Sequence, residues 1–434
     1  MDKINKKKLA YPICFFLFAL LGNISSSFFL VVAFLVVICE VIFGSIEENF
    51  YFSFLLIPNI RILDATGVSF LVNILMVLPA LKYLIIRKLK IQKLVLTGAF
   101  IFMFIELTHI LVLGYYSRII PEVCWIMAYI MCASILVDQK IFVDKKNIAL
   151  YLSTGIIGSS IVYLVSNMSY ASNIIADVID GSRFEAYADD PNFFSLYICL
   201  TLAMILSIHN KRKSAYINVA VLIIIGLLTA SKMCLLLICF IISAVVVIQI
   251  LSNETKYKDH RFMRNIIVIL LGCGIAFRNT LLEFINNLLR RAGLIGSNFN
   301  LSTVTTGRST IAFNYINILW ENIVCLLFGY GFSYSNYLGE ATNHGAHNTY
   351  LDIILSWGCV GTIIILYFML SIVRKYRYSK CKKSGMIEKL PLVVLMINFM
   401  DLGCLNASMF WFVFAAAIVS FKYSDMNVEN VKYE

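Results

Sequence analysis

Long apolar runs separated by short basic or polar loops cover most of this chain. A helix needs about 20 apolar residues to cross a bilayer. On that basis the pattern predicts spans near 67–86, 94–114, 119–137, 148–165, 193–208, 215–229, 233–251, 265–277, 348–373, 389–404 and 407–422. Residues 9–62 are less regular: their apolar runs at 9–22, 28–44 and 50–60 are each shorter than a perpendicular span. Threading the chain requires one or three crossings there. The expected fold is therefore all-α, a polytopic transmembrane helical bundle of about 12–14 spans. It forms a single integral membrane domain over residues 1–434, without a soluble domain, a fixed-period repeat or a low-complexity segment.

The basic loops orient the bundle, because Lys and Arg concentrate on the cytoplasmic side. They are Arg87–Lys93, Lys140–Lys146, Lys211–Lys213, Lys256–Arg264 and Arg374–Lys383, together with Lys3, Lys6, Lys7 and Lys8 before the first apolar run. Both termini are then expected in the cytoplasm. The start of the chain reads as a retained anchor and not a cleaved signal peptide, since no A-x-A site follows the first apolar run. Two sizeable outside loops remain, 166–192 and 278–347. The second opens with an amphipathic pattern, Leu281, Leu282, Ile285, Leu288 and Leu289, which suits a helix lying in the headgroup region. It continues through Trp320, Phe328, Tyr330, Phe332 and Tyr334.

Composition narrows the class. The chain has 434 residues, of which 60% are hydrophobic and 14% charged, and its mean hydropathy is +0.84. Water-soluble cores do not supply that much apolar sequence. The net charge of +11 sits in the short loops between spans, so it signals topology and not nucleic-acid binding. The 12 cysteines lie mostly in apolar segments without a C-x-x-C pair. Neither a disulfide framework nor a zinc site is indicated, and no metal or cofactor is expected.

The polar residues of the outside loops carry the chemistry. Arg183 and Arg308, with Arg278, Arg290 and Arg291, can converge on the outer face. Guanidinium groups suit pyrophosphate because they stay charged and bond two oxygens at once. His344 and His347 stand at the mouth of the 348–373 span, and a histidine can take a proton from an attacking hydroxyl. Arginines with a histidine and no metal cluster point to transfer from a lipid-linked pyrophosphate. The plainer alternatives are headgroup anchoring for the arginines and a solvated loop position for His344. A different class, a transporter, is raised by Glu106 and His109, which share a face at i and i+3, and by Glu40 and Asp401 in apolar surroundings. The plain reading of Glu106 and His109 is a hydrogen-bonded pair inside the bundle. A flippase would show two similar halves and short loops, and the sequence has neither.

At this point the sequence resembles a family. His347-Asn348-Thr349-Tyr350-Leu351, followed by Gly358 and Gly361, is similar to the H-N-x-x-L…G…G signature of the Wzy polymerase and O-antigen ligase family. Gly307-Arg308 and Leu327-Phe328-Gly329-Tyr330-Gly331 resemble its G-R element and its L-x-G-x-G turn. Arg183 with Pro191-Asn192 resembles its R…(D)PN element, and Ser231-Lys232 its S-R motif. The matches fall in family order over roughly residues 180–365; the first 165 residues match only in character. Lys232 stands where the family usually has arginine, which keeps the charge and loses the fork geometry. The resemblance implies a polymerase of undecaprenyl-pyrophosphate-linked oligosaccharide repeat units in a bacterial plasma membrane, active on the outer face and working with a chain-length regulator. A ligase moving the finished glycan to another acceptor shares the donor chemistry. His347 is then the expected base, Arg183, Arg308 and Lys232 the pyrophosphate cations, and Asn348, Asn192 and His344 substrate contacts. The glycines have their own expected roles. Gly329 and Gly331 allow a tight turn, while Gly358 and Gly361 admit a neighbouring helix and so aim the histidine.

Overall fold

The computed structural model describes residues 6–67, 71–87, 93–113, 143–180, 182–188, 190–208, 213–251, 307–331, 346–380, 387–403 and 408–419, with isolated positions within 124–136 and 278–286 and at 334 and 338. Among these residues the chain is helical, without a strand. The N-terminal part holds α1 (Lys6–Ile24), α2 (Phe28–Phe43), α3 (Ile46–Leu56), α4 (Leu71–Arg87) and α5 (Lys93–Leu113). The middle holds α6 (Lys145–Ser166), α7 (Met168–Asp180), α8 (Pro191–Leu206), α9 (Lys213–Leu228) and α10 (Lys232–Leu251). The C-terminal part holds α11 (Arg308–Glu321), α12 (Ile323–Phe328), α13 (Thr349–Lys380), α14 (Leu390–Asn398) and α15 (Ser408–Val419). The expected span at 265–277 lies outside the described residues, as does most of 119–137. The amphipathic pattern at 281–289 is described only at Leu282 and Asn286, both helical.

The ambiguous stretch 9–62 resolves into three helices, α1 to α3. Within the first expected outside loop the structure has a helix, α7, that the reading of the sequence did not foresee. Its residues Tyr170 and Ile174, one turn apart, pack on the core.

The core is organised around α8. Its sequence is apolar on every side, and a helix of that kind belongs inside a bundle. Accordingly Phe194, Leu196, Tyr197, Ile198, Cys199 and Leu200 are each 0% exposed. Helices α6, α9, α10, α14 and α15 all pack against it. Bonds between helix ends set directions. Lys145 Nζ at the start of α6 donates to Ser207 O just past α8, 3.0 Å. Near the other end of α6, the Tyr187 N–H donates to Ser159 Oγ, 3.3 Å. Thus α6 and α8 are antiparallel. Lys82 of α4 donates to Val41 O and Gly44 O at the end of α2, 2.5 and 2.6 Å, so a cation meets the negative end of that helix.

The outward faces are apolar too. Ile13 and Leu17 on α1, Val31 and Leu35 on α2, and Phe100, Phe104 and Leu111 on α5 recur at helical spacing and are exposed. Two helical segments, Lys145–Ser166 and Thr349–Tyr367, are long and apolar enough to cross a membrane, and further apolar helices run 10–17 residues.

Helix α13 is broken. Gly358 has φ 61° and ψ −168° inside it, a conformation open essentially to glycine alone. An unbroken helix would pair Leu355 O and Ser356 O with the N–H groups of residues 359 and 360. Here they accept from Tyr330 N, 2.7 Å, and Gly331 N, 2.9 Å. Gly329, with φ 78° and ψ −175°, adopts the same conformation on the facing segment. The approach is reciprocal. A Cβ on Gly329 would lie 2.3 Å from Ser356 O, and one on Gly358 would lie 2.3 Å from the Leu327 carbonyl. This revises the expected role of Gly358 and Gly361. The neighbour admitted is the end of α12 and the turn after it, and Gly361 faces Trp357 of its own helix.

Candidate functional site

The first polar group forms where segment 182–188 and the start of α8 meet the turn between α9 and α10. Asp190 caps α8, its Oδ1 accepting from Asn192 N at 2.6 Å, with Pro191 in the first turn, where a missing N–H costs nothing. Asn192 is thereby fixed. Its Oδ1 accepts from Arg183 Nη2 at 2.5 Å and from Ser231 Oγ at 3.3 Å. Arg183 Nε donates to Thr229 O, 3.3 Å, so the guanidinium also meets the negative end of α9. The turn itself is held by Ser195 Oγ to Thr229 Oγ1, 3.0 Å, and by Ser231 N to Thr229 Oγ1, 3.3 Å. Ala230 sits at φ 48°, left-handed and strained for a residue with a Cβ. Lys232 follows as the first residue of α10 and is partly exposed. Arg183, Asn192, Ser231 and Lys232, separate in sequence, thus stand about one turn.

Another cation joins this end of the bundle. Arg61 donates its backbone N–H to Tyr187 O, 3.0 Å. Its charge reaches Glu185: burial pushes the Glu185 carboxyl above the usual range, and Arg61 and Arg183 oppose that push while Asp190 adds to it. Sequence reading missed Arg61 because it lies where the family resemblance had faded. The available signal was an arginine directly after an apolar run.

The second polar group forms about residues 398–403, after α14. Arg308, the first residue of α11, forms an ion pair with Asp401 through Nη1, and the same nitrogen donates to Asp401 O at 2.9 Å. A cation at a helix N-terminus is unfavourable, and the carboxylate offsets this. The Arg308 and Asp401 side chains are each 24% exposed, so the pair is partly open. At the same turn, Asn348 caps α13. Its Oδ1 accepts from Leu351 N, 3.1 Å, and its Nδ2 donates to Met400 O, 3.0 Å. Thr349 N donates to Phe399 O, 2.9 Å, and its hydroxyl to Leu402 O. Both ends of the Asn348 amide are therefore engaged by its cap and this turn.

His347 lies between these anchors. It is exposed and has φ 48°, a left-handed conformation costing on the order of 1–3 kcal/mol for such a residue. The residue before it is tied down as well: Ala346 N donates to Tyr334 Oη, 3.3 Å, and that hydroxyl donates to the Asp352 carboxylate. Tyr334 is 4% exposed and Asp352 8%. Asp352 was not picked out from the sequence. The signal was an acidic residue in the first turn of an apolar span. His344 lies outside the described residues.

The structure therefore gathers Arg183, Asn192 and Lys232 about one turn and Arg308, His347 and Asn348 about another. A partly exposed arginine and an exposed histidine anchored about the same turn supply the chemistry to bind an anion and to take up a proton. Glu106 and His109 of α5 face different neighbours. Trp357 Nε1 donates to Glu106 Oε1, 2.5 Å, and His109 lies against Gly331. No family model matches the chain, and no curated protein matches it.

Proposed function

We propose that this protein is a polytopic membrane glycosyltransferase of the Wzy polymerase type, which joins undecaprenyl-pyrophosphate-linked oligosaccharide repeat units on the outer face of a bacterial plasma membrane. The observation that carries the reading is the clustering of separated motif residues. Arg183, Asn192, Ser231 and Lys232 meet at one turn, and Arg308 and Asn348 meet another beside an exposed His347. The bonds between helix ends support the topology. Lys145 with Ser207, Phe184 with Leu228, and Thr349 with Phe399 join ends that alternate threading puts on one side. The apolar outward faces of α1, α2 and α5 suit acyl chains. Several helices are short for a perpendicular crossing: α2 has 16 residues, about 24 Å at 1.5 Å per residue, against a core of about 30 Å. Local thinning of the bilayer accommodates such lengths. In this threading α8 and α10 begin, and α14 ends, on the outer side. Helix α14 packs on both, and this threading puts the two polar groups at the same end of the bundle.

The reaction is a single displacement. His347 takes the proton from a sugar hydroxyl of one repeat unit. The oxygen attacks the anomeric carbon of the lipid-linked chain, the carbon–oxygen bond to pyrophosphate breaks, and the configuration inverts. Arg308, Arg183 and Lys232 stabilise the charge that develops on the leaving undecaprenyl pyrophosphate. Asn192 holds Arg183 in place for that role.

The test uses detergent-purified full-length protein and lipid-linked repeat units in EDTA. Longer chains form with the wild type and not with His347→Ala. Wild-type chain length in His347→Ala overturns the assignment of the base. Product that forms only after a foreign lipid or protein acceptor is added makes the protein a ligase.

A further inference from the structure

We propose that Tyr334 and Asp352 are positioning residues for His347, acting together as a clamp on the backbone that carries it. The inference rests on the reading of His347 as the base. A left-handed histidine next to a helix cap keeps its conformation only if the chain is held on both sides. On the C-terminal side the holder is Asn348, through Leu351 N and Met400 O. On the N-terminal side it is the Ala346 amide, whose acceptor is Tyr334 Oη. A phenol that accepts from an amide must send its own proton elsewhere, and here the Asp352 carboxylate receives it. That fixes the hydroxyl rotor and leaves its lone pairs toward Ala346.

The surroundings make the clamp rigid. The Tyr334 ring packs edge-on against Tyr315 of α11, with centroids 5.8 Å apart, and Tyr315 is 0% exposed. Behind Asp352 stands Gly403: a Cβ there would lie 2.4 Å from Asp352 Oδ2. The carboxylate is thus wedged between Tyr334 and the same 398–403 turn that takes Arg308 and Asn348. Burial, and after it the nearby Asp352 charge, push the Tyr334 phenol far above its usual value, so the hydroxyl keeps its proton at neutral pH. Cation and imidazole are then referred to one rigid turn, Arg308 directly through Asp401 and His347 through Asn348 on one side and Tyr334–Asp352 on the other. A displacement of about 1 Å at a reacting group can cost on the order of 100-fold in rate. Loss of this clamp therefore falls on turnover, while donor binding, carried by the arginines, is left alone.

The experiment measures kcat and donor KM on the purified full chain for Tyr334→Phe, Asp352→Asn and Asp352→Leu, with His347→Ala alongside. Tyr334→Phe keeps the ring and loses the hydroxyl. The expected result is kcat down about 10-fold or more with donor KM within about twofold. Asp352→Asn, which keeps an acceptor oxygen, recovers most of the kcat that Asp352→Leu loses. Where Asp352→Leu yields no folded protein, Tyr334→Phe decides alone. Wild-type kcat in Tyr334→Phe beside an inactive His347→Ala overturns the clamp and leaves the base in place. A KM that rises as much as kcat falls makes the pair merely structural. Full activity in His347→Ala overturns the reading of the base itself.

Discussion

Gly358→Ala offers a sharp test because two pictures of α13 predict opposite signs. If α13 were continuous, alanine in place of glycine inside it would stabilise the protein by about 1 kcal/mol. In the structure Gly358 has φ 61° and ψ −168°, where a Cβ-bearing residue costs about 1–3 kcal/mol. The added Cβ would also lie 2.3 Å from both the carbonyl carbon and the oxygen of Leu327, a backbone contact that no rotamer relieves. Moving the 327–331 segment away breaks Tyr330 N to Leu355 O and Gly331 N to Ser356 O, each contributing about 1 kcal/mol. The sum is a destabilisation of about 3–5 kcal/mol. Gly67→Ala is the internal control. Its φ is 81° with nothing within 4 Å of the added Cβ, so only the conformational cost of about 1 kcal/mol remains. Thermal unfolding in detergent compares the three proteins, and the chain-length ladder follows the consequence for activity. A Gly358→Ala protein as stable as the wild type, or more stable, would refute the break and the docking of Gly329–Gly331 into it.

The remaining predictions concern charge. Arg308→Lys and Arg183→Lys each lose most activity, at least about 10-fold, because lysine cannot reproduce a fork that holds a protein partner and a phosphate together; Lys232→Arg stays active, and full activity in both arginine variants would mean headgroup anchoring instead. Glu185→Gln raises the unfolding temperature at pH 7, because burial lifts the Glu185 pKa above 4.5 in the folded protein. A raised carboxyl favours the folded state below its unfolded pKa and loses that contribution as pH rises through the folded value. The advantage of Glu185→Gln should therefore shrink as pH falls toward 4.5, and an advantage that grows with acid would contradict it.

The helical pattern was legible because α8, α9, α10 and α13 are long apolar runs with clear basic or polar boundaries. The three helices within residues 6–56 were harder: α3 has only 11 residues, too few for its period to declare a span. Individual motif residues were legible as well, since Asn192 and Lys232 fall at helix starts and Arg183 in the segment between two helices, where polar side chains in an apolar chain attract attention. Their partners were not. That Asn192 accepts from both Arg183 and Ser231 depends on packing 39 residues apart in sequence, and no local pattern encodes it. The glycines were legible only in part. The spacing of Gly358 and Gly361 fits helix packing, but the deciding property is the conformation of Gly358, set by a facing glycine at position 329. Asp352 went unnoticed because one carboxylate in an apolar run has no spacing to recognise.

The transporter alternative drew on Glu40, Glu106, His109 and Asp401 as a relay through the bundle, and the structure bears on the three carboxylates differently. Asp401 pairs with Arg308 at the 398–403 turn. Glu106 accepts from Trp357 just before the break in α13. Glu40 lies beside Gly44 at the end of α2, which Lys82 caps. Each carboxylate therefore answers to a different element with a local structural need: a cation at a helix start, an indole N–H inside the bundle, a helix end. A relay requires groups that exchange partners along a path, whereas fixed partners of this kind rigidify what surrounds them. The Asp401 pair and the Glu106 bond lie on the elements that frame α13 and the turn holding His347. That placement suits the proposed transferase better than it suits a proton relay.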